Sequence, residues 1–292
     1  MNIYGISFTN IPELRSIYNF NRISIDISET LRRLETGQRI ISGKDDPSGI
    51  LSRDTMRADI RGIQAAQKNT SAANEFLSMA ESGLASISRM LIGDIFNSSD
   101  NGLIGLIYDT TLPSEMKKQQ IEDILTMVDG VARTTNYNGK RMLDGSISEE
   151  LGGALFQLGK DVQDSMQFRM SLPNMTVSNL GGTSGRLNDL RSIDLETDAG
   201  KALAYSIVNE AVNMVAVQRG TIGAIQKHVL ENNARNLDTQ LERVSESEGL
   251  LSNADRALES SRLNRAELLA QSAMDSILYS RQFRQFILSA LL

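Results

Sequence analysis

Several residue types that build enzyme and metal sites are absent or rare in this chain of 292 residues. It has no cysteine, no tryptophan, one histidine, four prolines and 5% aromatic residues. The absence of cysteine excludes disulfides, thiolate zinc sites, iron–sulfur ligation and cysteine catalysis. A single histidine excludes most metal sites made of several imidazoles. The abundance of leucine, isoleucine, alanine, serine, arginine and glutamate instead predicts a protein of long helices.

The chain also lacks an excess of positive charge and any long hydrophobic run. Thirty basic residues against 36 acidic ones give a net charge of −6, whereas a nucleic-acid binder needs a clustered basic surface. No stretch reaches the roughly 18–20 consecutive apolar residues of a membrane span. Residues 1–20 lack the pattern of a secretory signal peptide. We therefore expect no nucleic-acid binding, no membrane insertion and no signal peptide. The strongly apolar C-terminus, Phe286 to Leu292, indicates a surface that waits for a partner.

Apolar residues recur at steps of three and four along most of the chain, which is the spacing of one helix face. Gly37 is suited to end the first such stretch, and Asp46 followed by Pro47 is suited to start the second. The predicted helices cover about 12–36, 47–95, a stretch from about Ser114, 198–252 and 253–290. Their main inner positions are Phe20, Ile23, Ile27, Leu31 and Leu34; Leu77, Ala80, Leu84, Ile87 and Leu91; Ile121, Ile124, Val128 and Val131; Ile207, Ala211, Ile225, Val229 and Leu237; Leu258, Leu269, Ala273, Ile277 and Ile287.

Residues 151–173 change to the period of a strand. Met166, Phe168 and Met170 share one parity, which predicts a β-hairpin near 153–171. The glycine-rich segment near 174–186 is predicted to be an exposed tip loop, and its hydroxyl groups are possible glycosylation sites: Thr176, Ser178, Thr183 and Ser184. The fold class is therefore mainly α: long antiparallel helices in a coiled-coil rod with a small β-hairpin, and with the N- and C-terminal helices paired.

The residues that could carry chemistry each have a simpler structural explanation. His228 has no nucleophile motif beside it, so an exposed helical histidine is favoured over a catalytic base. The glycines at 181–185 lack the lysine and the βαβ context of a phosphate loop. Arg57 and Arg61 line one helix face at a spacing of four, where a subunit contact is favoured over phosphate binding. We predict no catalytic residue, no cofactor and no metal.

Segments spread over nearly the whole chain, in the right order, together resemble bacterial flagellin. Leu31 to Ile40 resembles the family's "RLSSGxRI" stretch, and Gln218 to Gln226 is similar to its "QRxxLGAxQ". The large outer domains of the family are missing, because only the 174–186 segment separates the two halves. The family's terminal proline is replaced at Arg284. The other matching stretches are Lys44 to Gly49, Ile60 to Asn69, Asn136 to Gly145 and Ser261 to Gln271, with Gln282, Gln285, Leu288 and Ser289 fitting the terminal pattern.

The resemblance implies a structural subunit that polymerises into the helical flagellar filament for swimming motility. It implies an inner tube domain of 1–42 plus 253–292 and an outer rod domain of 43–252, with lateral contacts from the hairpin. It further implies export as an unfolded chain and folding of the terminal helices on assembly, so that the protein ends up in the extracellular filament. The implied partners are copies of itself, alone or together with sister flagellins, an export chaperone, the type III export apparatus, and the junction and cap proteins of the flagellum. Two alternatives stay open: a hook–filament junction protein of the same architecture, and an enzyme or adaptor built on a helical bundle.

The resemblance also assigns contact residues. On the terminal helices the expected subunit contacts are Phe20, Ile27, Leu31, Leu34, Leu258, Leu269, Ile277, Phe286, Ile287 and Leu288. In the rod domain the expected contact and entry residues are Asp46, Arg57, Arg61, Leu84, Leu91 and Gln226.

Overall fold

A computed structural model describes residues 11–93, 102–161 and 166–291. Its elements confirm the predicted fold class, mainly helical with small β-hairpins. The helices are α1 (Ile11–Thr36), α2 (Pro47–Ile92), α3 (Gly102–Tyr108), α4 (Ser114–Thr134), α5 (Asp198–Ile225), α6 (Glu231–Ser252) and α7 (Arg256–Leu291). The strands are β1 (Asn136–Tyr137), β2 (Lys140–Arg141), β3 (Ala154–Gln157) and β4 (Gln167–Met170). Short 3₁₀-helices cover Glu149–Leu151 and Leu187–Arg191, and a π-helix, Gln226–Leu230, separates α5 from α6.

The chain forms two compact units. Unit 1 consists of Met1–Ala58 and Arg243–Leu292, and unit 2 of Asp59–Glu242. These boundaries do not coincide with those at 42 and 253 that the sequence predicts. The assignment of an inner tube and an outer rod domain stays a prediction.

Unit 2 has a continuous apolar core. The predicted stripe of α2 is buried throughout, from Leu77 and Leu84 to Leu91, each no more than 1% exposed. It packs with buried residues of α3, α4 and α5, such as Leu125 and Val208. Full burial of one such side chain contributes about 1.5–3 kcal/mol to stability, so unit 2 holds most of what stabilises the described chain. The helix α3 was not predicted: its run of apolar residues has no helical period.

The β-hairpin predicted near 153–171 is confirmed, and a second hairpin, which was not predicted, lies at 136–141. Strands β3 and β4 pair antiparallel, with Phe156 opposite Phe168. Strands β1 and β2 are joined by Asn138 and Gly139 alone. Both joining residues have positive φ, 53° and 79°, as the tightest hairpin turn requires.

The segment 174–186 is packed against unit 2, so the prediction of an exposed tip loop is wrong. Met175, Val177 and Leu180 are at most 3% exposed and belong to the core. The alternation of glycine and hydroxyl residues suggested a loop. The apolar residues between them are nevertheless spaced to anchor it to the core.

The π-helix shifts the inner face of the long C-terminal helical region by one residue. Ile222 and Leu230 are both buried although they lie eight residues apart, and Leu237 follows seven residues later. Val229, predicted to point inward, is 37% exposed. A π-turn accommodates one additional residue, so the inner face resumes at Leu230.

Unit 1 has almost no apolar core. Of its described side chains, Ile40 alone is both apolar and buried, at 2% exposure. Backbone hydrogen bonds join the segment that follows α1 to the segment between α6 and α7. They run from Arg39 N to Ser252 O at 2.7 Å and from Ala254 N to Gly37 O at 2.9 Å. The helix break predicted near residue 253 is thereby confirmed.

Candidate assembly surfaces

Helices α1 and α7 form the main contact of unit 1 and pack antiparallel. The side of α1 that carries Phe20, Ile27 and Leu34 is half-buried against α7. On α7 the half-buried positions recur at steps of three and four, as expected for a helix packed along one face. They are Leu263, Ala266, Ala270, Ala273, Ile277 and Ser280. We call these two facing sides the seam.

Both helices carry a second apolar face on the side opposite the seam. On α1 it consists of Ile11, Leu14, Tyr18 and Ile25, which are 54–70% exposed. On α7 it consists of Leu268, Tyr279, Phe283 and Phe286, which are 65–76% exposed. We call these residues the outward face. A helix that is apolar on two sides buries only one of them against a single partner helix.

The terminal contact residues predicted from the sequence divide between these surfaces. Phe20, Ile27, Leu34 and Ile277 lie half-buried in the seam, within one chain. Phe286 belongs to the outward face. Leu31, Leu258 and Leu269 are 42–49% exposed and belong to neither set of residues. The side chains of Ile287 and Leu288 lie outside the described residues. The outward face of α1 was not predicted from the sequence, although the spacing of residues 11, 14, 18 and 25 indicates it.

Asp46 starts α2 as predicted. Its carboxylate accepts hydrogen bonds from Gly49 N and from Ser48 Oγ, both at 2.9 Å. The Gly49 N–H in particular lowers the pKa of Asp46. A Cβ at Gly49 would lie 2.6 Å from Ile40 Cδ1 and would overlap the Asp46 carboxylate, so the ends of these two side chains would have to shift to admit it.

The predicted contact residues of the rod divide into partnered and exposed side chains. Arg57 Nε donates to Glu248 Oε1 at 2.8 Å, whereas Arg61 is exposed. Leu84 and Leu91 are fully buried in the core of unit 2. These two leucines therefore stabilise the fold of one chain and offer no surface to a second one.

Polar side chains connect α2 to α5 and α6 within unit 2. Gln226 Nε2 donates to Asn74 Oδ1 and Ser78 Oγ, both at 3.1 Å. Arg219 and Glu81 are 2.8 Å apart. The predicted contact residue Gln226 is thus a partner of α2 in its own chain, at the first position of the π-helix.

The same helices hold the β3–β4 hairpin. Asn233 Nδ2 donates to Leu158 O and to Thr70 Oγ1, both at 3.0 Å. Asn69 Nδ2 donates to Gln157 O at 3.1 Å. Lys160 Nζ lies 2.7 Å from Asp59 Oδ1. These contacts fix the end of β3 against α2 and α6.

The hydroxyl groups proposed for glycosylation differ in accessibility. Thr176 is 6% exposed, and its hydroxyl donates to Asn174 Oδ1 at 2.8 Å. This burial argues against glycosylation of Thr176. Ser178 and Thr183 are exposed. Ser184 N and Ser184 Oγ both donate to Glu210, and the backbone N–H is the main cause of the lowered pKa of that glutamate. Glycosylation at these positions stays a prediction.

The described residues hold no cluster of metal-ligating side chains. No group of three or more histidine or acidic side chains in residues 11–93, 102–161 and 166–291 could hold a metal ion. His228 is exposed on the π-helix. Within the described part of the chain, no helix is both long and apolar enough to cross a membrane.

Long paired helices, a large apolar core in unit 2 and an apolar face on the terminal helices that no described residue covers are features of a helical structural protein. Comparison with known proteins identifies the family. Residues 8–148 match the bacterial flagellin N-terminal helical region and residues 205–291 match the bacterial flagellin C-terminal helical region. The chain belongs to the bacterial flagellin family.

Several relatives match over almost their whole length. Flagellin of Bacillus subtilis is 24% identical, with 97% of this chain and 98% of that protein covered. The flagellar filament 30.7 kDa core protein of Treponema maltophilum is 27% identical, with 91% and 92% covered. A putative flagellar hook-associated protein from Vibrio parahaemolyticus shares the fold, with a TM-score of 0.50, 15% identity and 72% of this chain and 97% of that one covered.

The chain is a structural subunit of the flagellar filament. The family assembles with copies of itself, which places the chain in the flagellum. The alternative of a hook–filament junction protein is not favoured, because the full-length relatives are flagellins and filament core proteins.

Proposed function

We propose that the chain polymerises through the outward face of α1 and α7, which neighbouring copies cover in the filament. The observation that carries the proposal is the exposure of large apolar side chains such as Tyr18 at 70%, Tyr279 at 76% and Phe283 at 65%. Contiguous apolar surface of this kind marks an interaction site in a water-exposed protein. Because the outward faces of one chain point away from its own seam, their contacts are with other copies.

The terminal helices form an inner tube domain of 1–42 plus 253–292, and residues 43–252 form an outer rod domain. The distribution of burial supports this division. Unit 2 buries a large core of its own, whereas the described side chains of unit 1 bury one apolar residue, Ile40. Terminal helices with so little burial depend on other copies for stability, since isolated helices are marginal in water. The β3–β4 hairpin contributes lateral contacts between rods.

Export and folding follow the same logic. The chain leaves the cell unfolded through the type III export apparatus, in the company of a chaperone that covers the apolar terminal segments. It folds its terminal helices on docking, between the junction and cap proteins, alone or beside sister flagellins. Its role is structural, without catalysis. The family assignment and the scarcity of buried apolar residues in unit 1 support this sequence of events.

Electron microscopy of the concentrated chain tests the proposal. The full chain should form long uniform filaments, and deletion of residues 253–292 should leave a soluble, partly helical protein that forms none. The double variant Y18S/F283S should raise the critical concentration for assembly at least tenfold. The exposed residue Asp26 lies outside the outward face, so D26S is the matched control and should assemble normally. Undiminished filaments from the deleted chain would refute the proposal.

A further inference from the structure

Two ion pairs join α1 to α7 near opposite ends of α1. Near its start, Arg281 Nε donates to Glu13 Oε1 at 3.0 Å. Near its end, Arg33 Nη1 lies 3.8 Å from Glu259 Oε1, which also accepts from Arg262 at 2.7 Å. The acid stands on α1 in the first pair and on α7 in the second. This alternation fits only antiparallel helices.

Both carboxylates are buried although they belong to the sparsely packed unit. Glu13 is 8% exposed and Glu259 is 2% exposed. Burial of a charge costs free energy unless a partner of opposite charge lies beside it. The second oxygen of Glu259, Oε2, has no hydrogen-bond partner among the described residues. The burial of Glu259 therefore depends strongly on its two arginines.

The apolar part of the seam does not select one register. On α7 it presents Ala266, Ala270 and Ala273, whose short side chains accept many partners. Its steps of three and four repeat every seven residues on both helices. A slip of one heptad, about 10 Å, again opposes seam residues to seam residues.

The ion pairs break this degeneracy. A heptad slip in one direction brings Arg281 level with Phe20 and Arg33 level with Ala266. A slip in the other direction brings Glu259 level with Asp26, which is a like charge. Each slipped register leaves a buried charge without its partner, which is costly. Buried polar pairs are known to fix register in coiled coils in this way.

We propose that the Glu13–Arg281 and Arg33–Glu259 ion pairs fix the register of α1 against α7 and select the helix of the same chain as partner. The need arises in the filament, where many copies of both helices lie close together. The role of the ion pairs in the filament therefore rests on the proposed function. The pairing itself joins two helices of one chain, and it is measured in the assembled filament, where both helices are folded.

Engineered disulfides can measure the register of α1 against α7. Because the chain has no native cysteine, an introduced pair is the only one that can be oxidised. The ion pairs place Ser24 and Ala270 at the same level, both half-buried and small. Oxidation of S24C/A270C should give an intrachain disulfide. The pairs S24C/L263C and S24C/I277C report slips of one heptad in either direction. They should give at least fivefold less.

Charge variants then test the cause. E13R should lower the S24C/A270C yield at least fivefold and raise that of a slipped pair. The charge-swapped chain E13R/R281E should recover the original yield within twofold. E259Q, which keeps the shape of the side chain, should lower the yield as well. Unchanged yields in E13R and E259Q, or no recovery in the swapped chain, would overturn the inference.

A mixing experiment tests the choice of partner. An equimolar mixture of chains carrying S24C alone and A270C alone should give no disulfide-linked dimer, before or after assembly. Abundant dimers would show pairing between chains and overturn the inference. The two proposals fail separately. Charge-dependent disulfides in the full chain, together with undiminished assembly of the variant that lacks residues 253–292, would refute only the proposed function. Charge-independent disulfides, with assembly still requiring those residues, would refute only the register inference.

Discussion

At the residue scale, α2 starts with the capping carboxylate of Asp46, which lies close to Gly49. The carboxylate of Asp46 turns back over the first helical turn. There it accepts one hydrogen bond from the N–H of Gly49 and one from the hydroxyl of Ser48. The sequence predicted the capping role of Asp46 from the Asp–Pro pair. It did not predict the close approach of the Ile40 side chain to Gly49 in the same turn.

Substitution of the cap should weaken unit 1. We expect D46A to lower the melting temperature by a few degrees, and D46N, which caps equally well, to have little effect. The cap lowers the pKa of Asp46, so its contribution is present above the pKa of the unfolded chain and is lost as the pH falls through the folded value. G49A should destabilise less than D46A, because the ends of the Ile40 and Asp46 side chains can shift away from the added methyl group. Circular dichroism melts of the four proteins check this order.

The two arginines one turn apart on α2 should separate stability from assembly. R57E places two acids together at Glu248 and should lower the free energy of unfolding by about 0.5–1 kcal/mol, as expected for a partly exposed pair. R61E reverses an exposed charge. It should leave the free energy of unfolding unchanged while it weakens assembly. Denaturant titrations and sedimentation of filaments measure the two effects. Equal loss of stability in both variants would contradict the assignment.

At the scale of elements, the sequence predicted what short patterns determine. The heptad of Leu77, Leu84 and Leu91 and the strands of the β3–β4 hairpin both follow from the spacing of apolar residues. The errors arise where packing decides. The helix α3 is a short apolar run without a period, and the segment 174–186 is held by its buried Met175 and Leu180.

The candidate assembly surface was predicted only in part for a related reason. Periodicity located an apolar stripe through Phe20, Ile27 and Leu34 but could not tell which partner covers it. The structure assigns that stripe to α7 of the same chain, so the surface left for other copies is the second stripe through Tyr18. A sequence with two apolar stripes on one helix does not state which is internal.

The π-helix should be dispensable for the fold, because it contains one residue more than the helical repeat needs. Deletion of the exposed Lys227 would set Ile222 and Leu230 seven residues apart and keep both inward. We expect it to change the free energy of unfolding by less than about 1 kcal/mol. Deletion of the exposed Asn213 within α5 would turn one end of the helix by about 100°. That control should cost more than about 4 kcal/mol. Similar losses in denaturant titrations of both deletions would contradict this account.

At the scale of the whole molecule, burial is distributed very unequally between the two units. Unit 2 has a core that includes Leu84, Leu125 and Ile207, while the described part of unit 1 buries Ile40 and otherwise polar side chains such as Glu13 and Glu259. Stability within one chain is therefore local, and the regions with few buried contacts open first.

Limited proteolysis of the soluble chain should reveal this difference. We expect trypsin to remove much of unit 1 and to leave a resistant fragment close to residues 59–242, because its core opens only with the unit. The polymerised chain should resist cleavage in both units. Mass spectrometry of the fragments measures the outcome, and early cuts inside unit 2 would speak against it.

The poverty of buried apolar residues in unit 1 also has a kinetic consequence. Two free chains that meet must order α1 and α7 of both partners at once, and neither offers a finished surface. The end of an existing filament presents such a surface, so each arriving chain orders only its own helices. Spontaneous nucleation should therefore be slow and elongation fast, with a lag phase that short filament fragments abolish. A cell would then extend the filaments it has already begun far more readily than it would start new ones from secreted chains.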